Sequence, residues 1–196
     1  MKTKLWLARL AALAAIALAA VAAGCGSDDD QTSSSAAGNA TDAAFIADMS
    51  AHHEGAIEMA SIAQKRAEHP EVRQLANDII SAQKGELSVM KTIRRDMHGM
   101  DEHGSDHMGM TDAEMGMDMD PGTLHNAKPF DRAFIDMMVP HHQGAIAMAK
   151  ELLKKGEQPA LRKIANDVIG SQSKEIARMR GWRKAWYGSA GMDMGG

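Results

Sequence analysis

The chain has one cysteine, Cys25, among 196 residues, and aromatic side chains make up only 4% of it. A single cysteine excludes an internal disulfide and any thiolate cluster. So few aromatics leave the core to Leu, Ile, Ala and Met, and Met, of which there are 17, adapts well to irregular space. An excess of positive charge is also missing. Twenty-two Lys and Arg stand against 26 Asp and Glu, a net charge of −4, which argues against nucleic acid as a partner. Nor is any run long enough to span a bilayer. The longest apolar stretch, residues 10–23, is 14 residues, below the ~20 that a membrane helix requires.

That short run has another use. It follows Lys2, Lys4 and Arg9 and ends in Ala22-Ala23-Gly24-Cys25, so residues 1–24 read as a cleaved export signal. The ending resembles a bacterial lipobox, whose Cys is lipidated and becomes the first residue of the mature chain. A plain secretory signal with an incidental Cys is the alternative. Lipidation at Cys25 would consume the one thiol and anchor the protein to the outer face of the cell membrane, on the periplasmic or extracellular side. Loss of the three basic residues moves the formal charge from −4 to −7. Residues 26–41, rich in Ser, Asp, Ala and Gly, read with Cys25 as a flexible tether.

The dominant internal signal is a repeat. Residues 45–93 recur without a gap as residues 134–182, identical at 21 of 49 positions. The identities include more than apolar residues. His52/His53 match His141/His142, Gln83 matches Gln172, Glu86 matches Glu175, and Met49, Met59 and Met90 match Met138, Met148 and Met179. Packing alone seldom retains imidazole, thioether and carboxylate at the same places twice, whereas a metal site does.

The pattern is helical throughout. Thr41 or Asp42 can cap a first helix that runs to about Glu68, and Pro70 opens a second that runs to about Met97. The second copy predicts helices over about 131–155 and from Pro159 to about Tyr187, with Gly156 as a stop. Pro140, where the first copy has Ala51, predicts a kink or a late start. Two hairpins, 42–97 and 129–187, joined by a linker over 98–128, make an all-α four-helix bundle, followed by a Met- and Gly-rich tail over 188–196. On the second helix Val72, Ile79, Glu86 and Ile93, and beside them Ala76, Gln83, Met90 and Met97, fall at seven-residue intervals and form the inward stripe. Folding the hairpin at Pro70 puts Glu86 level with His53, and Met90 level with Met49. The same fold in the second copy pairs Glu175 with His142 and Met179 with Met138. Each hairpin thus gathers Met, His, Glu and Met.

Three readings fit that cluster. A core His–Glu hydrogen bond wrapped in Met is the plainest. A di-iron carboxylate centre requires Glu-x-x-His, which none of the helices has. A soft or borderline metal on Met and His, with Glu as ligand or as hydrogen-bond acceptor, is the third. His52 and His141 are rotated about 100° from their neighbours, toward the other hairpin or toward water, and read equally as ligands or as half-exposed residues.

The linker favours the metal. Residues 96–125 contain no Lys or Arg but hold seven Met, four His and eight carboxylates. Met97, His98, Met100, His103, His107, Met108, Met110, Met115, Met117 and Met119 are its donors, and they read as thioethers and imidazoles on a chain of no fixed geometry. Thioether clusters suit Cu(I) and Ag(I), and His with Asp suits Cu(II). Compositional drift in a spacer is the alternative.

Phe-x-x-x-Met-x-x-His-His-x-Gly-Ala-Ile-x-Met-Ala, followed by Ala-Asn-Asp-Ile/Val-Ile-x-x-Gln-x-x-Glu-x-x-x-Met, resembles the exported bacterial proteins grouped as domain of unknown function 305. The resemblance covers about residues 42–187. It implies a ferritin-like bundle and, from the copper binders among those proteins, a metal role for Met49, His52, His53, Met59, Glu86 and Met90 and their second-copy partners. The expectation is a lipid-anchored copper-binding protein that sequesters or hands on Cu(I) or Cu(II), and Ag(I) by analogy, to a transfer partner yet to be identified, with no catalytic residues. The rival expectations are a ferritin-like metalloenzyme and a structural module without metal.

Overall fold

The computed structural model describes residues 38–97 and 107–188. The export signal, Cys25, the tether as far as residue 37, the donors His98, Met100 and His103, and nearly all of the tail lie outside the described residues, whereas the last residues expected in the tether, Asn39 to Thr41, cap and begin the first helix. Four helices follow in order: α1 (Ala40–Arg66), α2 (Pro70–Asp96), α3 (Phe130–Lys155) and α4 (Pro159–Tyr187), with a short 3-10 turn (Pro121–His125) before α3. No strand occurs among the described residues, and no described helix is long and apolar enough to cross a membrane. α1 packs on α2 and α3 on α4 as two hairpins, and α1 against α3 forms the seam between them. The fold is the expected four-helix bundle.

Two expectations about the helix starts are corrected. Asn39, one turn earlier than expected, caps α1, and Asp42 completes a capping box from the third helical position. The Asp42 Oδ2 that accepts the Asn39 amide also reaches across the bundle. It accepts the amides of Glu157 (3.0 Å) and Gln158 (3.1 Å) at the turn from α3 to α4. Its counterpart Asp131 does the same for the other hairpin, accepting from the amides of Glu68 (2.9 Å) and His69 (2.8 Å) and from His69 Nδ1 (2.6 Å). Each hairpin therefore uses one fully buried carboxylate to hold the turn of the other, where the N-terminal half-charge of the next helix stabilises it.

Pro140 produces no late start: α3 begins at Phe130 and runs through it to Lys155. Phe134, Ile135 and Met138 before it and His142, Ala145 and Met148 after it are all buried. At ~1.5–3 kcal/mol per large apolar side chain, that anchoring on both sides outweighs the ~3 kcal/mol cost of an interior proline.

The core has two ends, each drawing on all four helices. One gathers Met59 of α1 with Phe134 and Met138 of α3 and Met179 of α4. The other gathers Met49 of α1 and Met90 of α2 with Met148 of α3. Between them, at mid-seam, lie the histidines.

Candidate metal centre

The heptad register explains the first half of the centre. Because α1 and α2 reverse at His69-Pro70, His53 and Glu86 meet as expected, with Nε2 donating to Oε2 at 2.6 Å. In the second hairpin His142 Nε2 donates to Glu175 Oε2 at 2.7 Å. Both imidazoles are fully buried, while the Glu side chains are 22% and 16% exposed. The carboxylates thus sit at the rim, where water shares the cost of their charge, rather than on the inner stripe. The Met pairs also hold: Met49 with Met90 and Met138 with Met179 are fully buried at their respective ends.

The second half comes from the seam. His52 and His141 are buried, not half-exposed, and their rings lie 3.7 Å apart, tilted by 37°. His52 Nε2 donates to the backbone carbonyl of His141 at 2.9 Å. Burial lowers the His52 pKa to about 3, the neighbouring His53 and His142 push it the same way, and the backbone of His141 and of Met115 only partly offsets them. His141 is also held well below 6.5, by burial first and then by the other three imidazoles. Both rings are therefore neutral near pH 7.

A carbonyl oxygen can only accept, so the proton of the neutral His52 sits on Nε2 and its lone pair on Nδ1, and a neutral ring at His53 or His142 that donates Nε2–H to its Glu carries its lone pair at Nδ1 as well. The Nδ1 atoms of all four histidines are buried without a hydrogen-bond partner, as are the side-chain oxygens of Gln83 and Gln172. A carboxylate holding one nitrogen while the other keeps a free lone pair is the arrangement that orients a metal-binding histidine. Among the described residues no three His, Asp or Glu side chains converge in a way that could hold an ion. Imidazole and thioether, the side chains buried here, are the donor types that a soft or borderline ion prefers.

The linker corrects an expectation. From residue 107 onward it has fixed geometry and packs on the bundle. Asp48, buried on α1, accepts from His107 Nδ1 and from the Met108 amide, both at 2.7 Å. Met115 is 5% exposed and joins the Met49 end of the core, as does Met97 at 6%. Met108, Met110 and Met117 lie half-buried against that end. A Cβ on Gly144 would fall 1.8 Å from the Met115 carbonyl oxygen, and one on Gly116 would fall 2.5 Å from that of Pro140. Only glycine at both points lets the chain lie flush on α3. Met alternating with Gly and Asp looks the same in a solvated spacer and in a packed strap, so sequence alone missed this. Asp48 carried no signal, since its counterpart is Met137. The Asp42/Asp131 clamp did carry one, because both sit three residues before the repeat at the same 89-residue offset.

These features have close parallels. The sequence profile of the family described as Domain of unknown function (DUF305) matches residues 42–183. The chain belongs to this family. Among solved structures, CopM in its Cu(II)-bound form is 42% identical, with a TM-score of 0.65 over 74% of this chain and 97% of that one. CopM has also been solved with Cu(I) and with Ag, both at 39% identity. A family member from Streptomyces coelicolor, described as secreted, is 27% identical with a TM-score of 0.69, over 79% of this chain and 98% of that one. Uncharacterized protein L153 of Acanthamoeba polyphaga mimivirus is 37% identical over 49 residues, 25% of this chain and 32% of that protein's length.

Proposed function

We propose that this chain is an exported, lipid-anchored protein that binds copper, as Cu(I) and Cu(II), and Ag(I) as cargo, to buffer it or pass it on, and that it catalyses no reaction. The observation that carries this reading is the set of four buried histidines whose Nδ1 atoms lack partners, two of them oriented by Glu86 and Glu175, in a core with buried Met on either side. Leaving that many buried polar atoms unpaired costs about 1–3 kcal/mol each, a cost that a bound ion removes. The likeness to CopM, solved with Cu(I), Cu(II) and Ag, supports copper and silver over iron. His52, His53 and His142 would supply nitrogen through Nδ1 and His141 through one or the other of its ring nitrogens, and Met49, Met90, Met138 and Met179 would supply sulfur. The half-buried Met108, Met110 and Met117 of the strap offer an exchange surface for a soft ion.

The test is copper bound per chain in the double variant His53→Ala/His142→Ala. Copper should fall while circular dichroism stays helical. Unchanged copper in a folded variant would reduce both His–Glu pairs to core hydrogen bonds. Iron, or no metal at all, on the purified wild type would favour the metalloenzyme or the structural module.

A further inference from the structure

The duplication makes Gly55 the counterpart of Gly144, Ala51 that of Pro140 and Met59 that of Met148. On the α3 side the strap backbone fills the groove, with Met115 pressed on Gly144. One linker cannot cover both copies. At the equivalent place on α1 a cavity of about 170 Å³ remains open. Met59, Met117, Met119 and His141 line it, together with Gly55 and Gly116. His141 Nε2 lies 3.4 Å from where a Gly55 Cβ would stand, so that nitrogen is at the wall. The lining contains three thioethers and one imidazole, and neither a carboxylate nor a cationic side chain.

This chemistry is selective. A hydrated divalent ion would give up its water for sulfur and receive no compensating charge, whereas a soft monovalent ion prefers sulfur and is easier to desolvate. The space far exceeds the ~30 Å³ share of one water, and Met has the torsional freedom to bring its sulfur inward. The donors come from three parts of the chain: Met59 from α1, His141 from α3, and Met117 and Met119 from the strap.

We propose that this cavity is a binding site for one Cu(I) or Ag(I) ion per chain, closed by the strap and present on only one side of the duplicated fold. The site rests on the copper-binding reading above but is separable from it. The probe is Ag(I), which has no competing oxidation state in the experiment. Silver retained per folded chain is measured for the wild-type protein and for Met117→Leu/Met119→Leu, which keeps bulk and apolarity and removes two sulfurs. The variant should lose about one silver ion per chain and keep the rest on its other Met and His. Wild type that retains no silver overturns the general reading. Wild type that retains silver and a variant that loses none overturns this site alone. Should the variant misfold, silver-soaked crystals of wild type decide the matter: an anomalous peak beside His141 and Met119 supports the site, and peaks only elsewhere overturn it.

Discussion

Acidification should loosen this protein from its centre. The His52 pKa is lowered to about 3 on folding, and His141 is held well below 6.5. In the unfolded chain both return to about 6.5. A group depressed on folding contributes stability that is whole above its unfolded value and is lost as pH falls toward its folded one. The window therefore opens near pH 6.5 and, for His52, closes near 3. Inside it each such histidine costs about 1.4 kcal/mol per pH unit. His52 alone costs about 2 kcal/mol between pH 7 and pH 5, against the 5–15 kcal/mol typical of a whole domain, and His141 adds to this in the same direction. The contact of the two rings at 3.7 Å makes protonation of both still less favourable. The assay is urea unfolding of the metal-free protein at pH 7, 6 and 5, beside His52→Gln/His141→Gln, which retains a donor and removes the titration. The wild-type midpoint should fall steadily over this range, and the variant's should fall by clearly less. Equal slopes would refute the reasoning. Saturating Ag(I) should raise the wild-type midpoint at pH 7, and less so at pH 5 if protons and metal compete for the same nitrogens.

Asp131→Ala removes the acceptor for two backbone amides and His69 Nδ1, and should cost about 3 kcal/mol in urea unfolding; a loss near zero would mean that water replaces the clamp. Gly144→Ala should lift the strap, because its Cβ would overlap the Met115 carbonyl, whereas Gly55→Ala meets only His141 Nε2 at 3.4 Å and should be tolerated. Limited proteolysis between residues 107 and 119 reads the difference, and equal resistance of the two variants would contradict the packing. Cys25→Ser should move the exported protein from the membrane fraction to the soluble one, and a wild type already soluble after export would rule out the anchor.

The parts legible in the sequence depend on one helix or one hairpin. Heptad spacing alone set His53 against Glu86 and Met49 against Met90, since a hairpin reflected about Pro70 leaves little freedom. The contact of His52 with His141 was not legible, because it depends on how α1 crosses α3, and nothing within one repeat encodes that. Burial of Met115 was hidden for a different reason. Its neighbours Glu114 and Gly116 signal a solvated turn, and what seats it is the absence of side chains on Gly116 and on Gly144, 28 residues further on. Pro140 did not delay the start of α3, because helix propensity is a weak prior beside the burial on either side of it.

The duplicated halves differ where the strap docks, and those differences have a common physical sense. Asp48 holds His107 and the Met108 amide, while its counterpart Met137 only packs among apolar neighbours of the other core end. Pro140 replaces Ala51, and its carbonyl is where the strap glycine Gly116 makes its closest approach. A symmetric hairpin pair alone would present the same open groove at Gly55 and at Gly144. With one linker, one groove must be filled and the other left, so residues serving the filled side diverge while His52/His141, His53/His142, Glu86/Glu175 and the buried Met pairs stay alike. The linker does more than join two equal halves. It makes one of them the closed side and leaves the other, beneath Met117 and Met119, with room for an ion.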